Sequence, residues 1–346
     1  MRDSIFLSAI RSMMVTLFAV IGFCLGLIVI GLLTGLWSGK TALEPERIYS
    51  QEVVANANGE RKAFSSTAPV ILRLNIDGAI GLEDLSADSF RRQLMESREG
   101  ELKDSTIKAI LLHINSPGGI AVDADSMYRA LKNYKEQYKV PVYAYVDGLC
   151  ASGGMYIAVA ADKIYASEVS LIGSVGVLMP SFLNFTQLMD KIGVQSLTVS
   201  AGKDKDELNP LRPWAPGEGD NMKEIVDDFY KVFVDVVVSN RPQIDREKLI
   251  KDYGAKIFSA TTAKEYGFVD VAGIGYNDAL REIVKQVGIE DENYQVVELQ
   301  HKTWYSELFS KNNTLLHGKI VHEVKLPLEM DTRFNGQFLY MYRPAK

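Results

Sequence analysis

Ser152 stands between an alanine and two glycines in VDGLCASGGMYIAVAADKI, residues 146–164. The pattern predicts a strand, a tight small-residue turn and a helix, with a hydroxyl held at the junction. A serine hydroxyl at its ordinary pKa is a poor nucleophile and needs a neighbouring base to take its proton. The chain has four histidines, and none follows Ser152 before His301. His113 falls on a predicted buried strand, where a satisfied core or edge histidine is the simpler reading. His301, His317 and His322 fall in a poorly patterned tail. Lysine can serve instead when burial disfavours its charged form, and serine–lysine pairs are one form of the triad logic. VSAGKDKDELNP, residues 199–210, puts Lys203 and Lys205 just after a predicted strand. On composition alone, both also read as solvated loop charges beside Asp204, Asp206 and Glu207.

A second turn belongs with the first. HINSPGG, residues 113–119, closes one predicted strand and opens into a helix. Its glycines permit positive φ and let backbone N–H groups come close to a bound atom. In an α/β sheet, ligands gather at the carboxyl ends of the strands, so the two turns can border one crevice. The N–H groups of Gly119 and Gly153 would then face one oxygen, as an oxyanion hole requires. A lone Gly-Gly turn would be only a tight turn before a helix; two on successive strands, one carrying a serine, shift the reading toward a site.

The elements that must position these groups follow from periodicity. Strands are predicted at 70–78, 109–119, 141–148, 163–167 and 197–202, with helices at 123–138, 153–161, 181–193 and 217–239. Strands alternating with helices predict an α/β fold with right-handed crossovers. Past residue 288 the pattern weakens, and no element is assigned over 300–346. The 346 residues carry a net charge of −6, which argues against a nucleic-acid binder, as does the lack of a basic cluster interleaved with aromatics. Cys24 and Cys150 sit in dissimilar segments, so no disulfide is expected, and no Cys/His spacing suggests a metal site.

Residues 13–37 run without a charge, from Met13 to Trp37. About 20 apolar residues cross a bilayer, and the run lacks a small-residue cleavage site behind it, so it is expected to be an uncleaved anchor. Arg2 and Arg11 precede it and Lys40 and Arg47 follow, a balanced count. The free amino group and the stretch without positive charge up to Lys40 place the amino terminus inside and the remainder outside. Residues 38–67 are polar and weakly periodic, as a tether would be.

Residues 69–285 resemble the signal peptide peptidase A family, S49-type serine proteases of the ClpP/crotonase superfamily. The resemblance rests on INSPGG, ASGGMYIA, DKIYAS, LIGSVGV, AGKDKD and TAKEYGFVD, in family order. It implies an α/β ClpP/crotonase-like fold with an N-terminal transmembrane helix. Its divisions would be a cytoplasmic terminus at 1–12, an anchor at 13–37, a linker at 38–67, a protease domain at 68–287 and an extension at 288–346. It also implies Ser152 as nucleophile and Lys205, 53 positions on, as general base, with Lys203 the weaker candidate. Ser174 of GSVG would orient the lysine, and Gly119 and Gly153 would donate to the oxyanion. The implied reaction is cleavage of remnant signal peptides and other membrane-proximal peptides, without cofactor or metal. Ring or dome homo-oligomers held to lipid by residues 13–37 would carry it out, with serine and lysine supplied either by one copy or by neighbouring copies. The site would lie on the outer side of a bacterial inner membrane. A ClpP-type histidine about 25 residues past the serine is not found; position 177 is Val177. Cys150 and Met155 depart from the commonest residues beside the serine turn. The alternatives are a CoA-thioester enzyme on the same fold and a catalytically silent membrane scaffold.

Overall fold

The structure is a computed structural model that describes residues 11–23, 25–26, 49–65, 68–82, 85–100, 102–103, 105–289, 293–301 and 337–342. Two units are distinct, Met1–Ile48 and Tyr49–Lys346. In the first, residues 11–23 and 25–26 are helical. Among the described residues no helix is long and apolar enough to cross a membrane. Cys24 and residues 27–37 of the expected anchor lie outside the described residues, as do all of 38–48.

The second unit begins with a strand in the segment expected to be a tether. We label the strands β1 (Tyr49–Val54), β2 (Pro69–Asp77), β3 (Thr106–Ser116), β4 (Gly118–Ile120), β5 (Val142–Ala151), β6 (Lys163–Ala166), β7 (Leu171–Gly173), β8 (Ile257–Ser259), β9 (Val271–Ala272), β10 (Gln295–His301) and β11 (Leu339–Met341). The helices used below are α1 (Ala87–Glu99), α2 (Ala121–Tyr138), α3 (Gly153–Ala158), α4 (Thr186–Ile192), α5 (Asp220–Asn240), α6 (Ala260–Glu265) and α7 (Tyr276–Gln286). The main sheet runs β1-β10-β2-β3-β5-β6-β9, with β7 and β8 branching from β5. From β10 to β9 the neighbours are parallel, and β1 closes the edge antiparallel to β10.

Parallel strands covered on both faces should be continuously apolar, and Ile71–Leu72 and Ile110–Leu112 are fully buried. Met127 and Leu131 of α2, Phe90 of α1 and Phe233 of α5 bury against one face. Leu280 and Ile283 of α7 cover the other. The buried positions Ala121, Ala124, Met127, Leu131 and Tyr134 form one stripe of α2. Because β10 sits inside the sheet between β1 and β2, the sheet extends past residue 287.

One expected strand is corrected. Residues 194–200 form no regular element, and Leu197 and Val199 are 90% and 89% exposed. Their alternation is strand-like, but a strand needs a partner for its N–H and C=O groups, and this segment has none among the described residues.

Candidate active site

The site is made just past a bulge between two neighbouring strands. The β3–β5 register shifts between Ile114 and Ser116. Gly148, at φ +121°, turns β5 there, and a β-carbon on it would meet Asn115 Oδ1 at 2.6 Å. That oxygen accepts Leu149 N–H at 3.2 Å. Up to Val146 the strand pairs with β6, and from Leu149 to Ala151 it pairs with β7. The bend carries the end of β5, and so Ser152, from β6 to β7, while Cys150 still pairs with Ser116 of β3.

Ser152 takes φ 53° and ψ −114°, between β5 and α3. Such a backbone costs a non-glycine residue roughly 1–3 kcal/mol and persists only where the surroundings fix it. Here Ser152 N–H donates to Gly173 O at 3.0 Å and Tyr156 N–H to Ser152 O at 2.9 Å. The residue is 1% exposed. Its Oγ donates to Gly176 O at 3.4 Å, a long bond that leaves the hydroxyl loosely held.

The SPGG turn meets it directly. Ser116 Oγ donates to Gly78 O at 2.6 Å and accepts Gly118 N–H at 3.1 Å. Gly118 has φ +94°, and a β-carbon on it would lie 2.6 Å from Gly153 N. A β-carbon on Gly119 would lie 2.0 Å from Ile80 O. The two turns are therefore in backbone contact and have no room for side chains. Ser174, at φ 57°, follows β7, pairs its N–H with Lys256 O at 2.7 Å and is 4% exposed. The fold thus brings Ser152, Gly153, Gly118–Gly119 and Ser174 together.

The two lysines are placed differently. Lys203 and Lys205 are exposed and line a hollow of about 520 Å³ together with Asp206, Arg212 and Glu218. Neither Ser152 nor a residue of the glycine turns lines that hollow. Lys203 pairs loosely with Asp204 at 3.7 Å. Within one chain, then, no hydrogen bond joins either lysine to Ser152 among the described residues.

Other candidates fall away from the serine. His113 stacks near Tyr145 at 6.0 Å and lies 3.5 Å from Asp147. Burial, then the Arg73 charge, hold its pKa below the ordinary value against the pull of Asp147. His301 lies in β10 opposite Tyr49, and His317 and His322 lie outside the described residues. Burial pushes the Cys150 thiol up to about 12, so it is not a thiolate at neutral pH. Among the described residues no group of three or more His, Cys, Asp or Glu side chains could hold a metal ion.

The feature that sequence reading missed is β11. Leu339–Met341 pairs antiparallel with Gly118–Ile120, Tyr340 opposite Gly119. Ala121 N–H donates to Phe338 O at 2.9 Å, Tyr342 N–H to Pro117 O at 2.7 Å, and Leu178 exchanges two 3.0 Å bonds with Leu339. An extended segment therefore lies in a slot between the SPGG turn and Leu178. The Tyr340 carbonyl oxygen would stand 1.9 Å from a β-carbon on Gly118 and 3.0 Å from one on Gly153. Its ring stacks on Tyr156 at 5.0 Å, and its hydroxyl donates to Phe229 O at 3.0 Å. The FLYMY run bounded by Asn335-Gly336 and Pro344 carried the signal.

A sheet that delivers a buried serine on a strained strand-to-helix turn, beside a glycine turn, defines the class: an α/β, ClpP-like serine peptidase. Residues 80–171 match the Clp protease family, and residues 134–290 match peptidase family S49. A protein of Methanocaldococcus jannaschii named as a protease is 34% identical over 57% of this chain and 61% of its own length. One of Enterococcus faecium, named as a signal peptide peptidase SppA, is 28% identical over 82% of this chain and 84% of its own. One of Synechocystis, named as a protease, is 32% identical over 60% of this chain and 72% of its own. The chain belongs to peptidase family S49.

Proposed function

We propose that the protein is a membrane-anchored endopeptidase that uses Ser152 as nucleophile and Lys205 as general base, the two supplied by neighbouring copies. The observation that carries the peptide part is the slot beside Ser152, where a main-chain carbonyl lies against Gly118 and Gly153. An extended peptide that takes the place of Leu339–Met341 can pair with the Gly118–Ile120 edge by main-chain hydrogen bonds alone, which is tolerant of sequence. The shared site is supported by the positions of the two groups. Among the described residues Ser152 is buried with no base hydrogen-bonded to it, while Lys205 lies exposed in an arm whose Leu197 and Val199 are uncovered. A lysine acts as base only when desolvation lowers its pKa, and docking of the arm on a second copy would supply that desolvation.

In this reading neutral Lys205 takes the Ser152 proton as Oγ bonds to the peptide carbon. The Gly119 and Gly153 N–H groups hold the resulting oxyanion; one such donor is worth about 3 kcal/mol of barrier. Collapse breaks the C–N bond, and lysine hands its proton to the leaving amine. Water then attacks the acyl carbon and passes a proton to Lys205, which hands it to Ser152 Oγ as the ester C–O bond breaks and the acid leaves. Ser174 orients the lysine. Apolar, membrane-proximal peptides such as spent signal peptides are the substrates, residues 13–37 hold the chain in the bacterial inner membrane, and the catalytic unit works outside the cytoplasm.

The test mixes two inactive variants. Ser152→Ala and Lys205→Ala, each inactive alone, are unfolded, mixed in equal amounts and refolded together. In a head-to-tail ring about a quarter of the sites then receive both functional groups, and that fraction of wild-type turnover should return. No recovery, with oligomers of normal size, would place both groups in one chain. Full activity of Ser152→Ala would end the serine reading.

A further inference from the structure

We propose that Arg212 is the positioning residue for Lys205, holding the loop that carries the base and keeping the neighbouring carboxylates off it. The inference rests on the reading of Lys205 as base. Residues 201–219 contain no strand or helix, and Asp204 and Leu208 take φ 60° and 56°, a region that Asp tolerates and Leu rarely adopts. Something outside the backbone must therefore fix the loop.

Arg212 does this with all five of its N–H donors. Its Nε donates to Asp206 Oδ2 at 2.6 Å. One terminal nitrogen donates to Glu218 Oε2 at 2.9 Å and to Pro213 O at 3.0 Å. The other donates to Glu218 Oε1 at 2.7 Å and to the Asp206 carbonyl. The guanidinium thus grips both the backbone and the side chain of the residue next to Lys205. Glu218, its side chain 7% exposed, passes the hold on by accepting Ala215 N–H at 2.7 Å and Leu208 N–H. Asn209 Nδ2 closes on Asp206 Oδ1 at 2.6 Å, and Glu207 caps the start of α5 through Gly219 N–H at 2.6 Å.

The charges in the hollow give Arg212 a second effect. Lys205 shares it with Lys203, Asp204, Asp206, Glu207, Arg212 and Glu218. A carboxylate free to reach the Lys205 ammonium would raise its pKa and keep the base protonated. Arg212 engages Asp206 and Glu218, and hydrogen bonds from Arg212 hold both carboxyl groups below their usual range. Among the described residues Lys205 has no ion pair. A lysine could not substitute for Arg212, because an ammonium is a point charge without the planar fork.

The experiment measures pH profiles of kcat/KM, with kcat and KM separately, for the full-length oligomer and for Lys205→Ala, Arg212→Ala, Arg212→Lys and Arg212→Ala/Asp206→Asn. For Arg212→Ala the acid limb should move up by about one pH unit or more as Asp206 turns to Lys205, and kcat should fall by about 100-fold. Adding Asp206→Asn should return the limb to its wild-type position without restoring kcat. Arg212→Lys should hold the limb near wild type but still lose kcat. A folded Arg212→Ala with wild-type limb and kcat, beside an inactive Lys205→Ala, would overturn the positioning role alone. If Arg212→Ala does not fold, wild-type kcat in Arg212→Lys would overturn it. A fully active Lys205→Ala would remove the dyad and this inference with it.

Discussion

Replacing Gly118 by alanine tests whether the contact between the two glycine turns is part of the site. The new β-carbon would stand 1.9 Å from Tyr340 O and 2.6 Å from Gly153 N, on a backbone at φ +94°. Both distances are inside any heavy-atom contact, and the second partner is backbone that cannot swing aside. Gly59 is the control: its φ is +80°, and a β-carbon there meets nothing within 4 Å. Gly59→Ala should therefore cost only the backbone term, roughly 1–3 kcal/mol, with turnover unchanged. Gly118→Ala carries that cost plus an overpacking cost of about 1–3 kcal/mol. It also displaces the Gly153 N–H, and losing one oxyanion donor lowers kcat about 10²–10³-fold. Urea unfolding supplies the stabilities, and hydrolysis of a fluorogenic apolar peptide by the full-length protein supplies kcat. If Gly118→Ala folds and turns over substrate as Gly59→Ala does, the glycine contact is structural only and the oxyanion assignment fails.

Two further expectations concern the frame around the site. Arg241, its side chain 4% exposed, meets Asp270 through two hydrogen bonds at 2.9 and 3.0 Å and donates to Gly267 O at 3.0 Å. Arg241→Ala strands the Asp270 carboxylate, which also accepts Ile164 N–H, and should cost about 3–5 kcal/mol in urea unfolding; an unchanged midpoint refutes this. In the lysine loop, Arg212 holds the Glu218 carboxyl down at about 2 against an ordinary value of about 4.3. A depressed carboxylate stabilises the fold above its unfolded pKa, and that contribution is lost as pH falls through the folded one. Trp214, whose Nε1 donates to Asn209 O at 2.8 Å, should report loop release between about pH 4 and about pH 2 in a Trp37→Phe/Trp304→Phe background. Release already complete above that window would refute the clamp's strength.

Much of the sheet could be read from pattern because its order is local: each parallel strand is a short apolar run, and the next helix repeats its buried residues at 3.6-residue spacing. The predicted strands near 70–78, 141–148 and 163–167 and helices near 123–138 and 217–239 fall on β2, β5, β6, α2 and α5 for that reason. Ser152 was legible because a small-residue turn between a strand and a helix constrains φ over a few residues. The expected strand at 197–202 failed because pairing is a tertiary property: alternation makes a strand possible, and only a neighbour makes it one. Strand β1 in the presumed tether and β11 in the unassigned tail are the converse case, weak patterns completed by partners far away in sequence.

The division holds at the site itself. Residue types and local spacing determined that a serine, two glycine turns and two lysines were the groups able to do chemistry. Tertiary structure alone decided that Gly118 lies against Gly153, that a carbonyl rests on both, and that Lys205 stands apart in an exposed loop gripped by Arg212. Backbone conformation at a turn is set by the few residues in it. The distance between two turns is set by strand register and by the bulge where the β3–β5 register shifts, which no short stretch of sequence encodes.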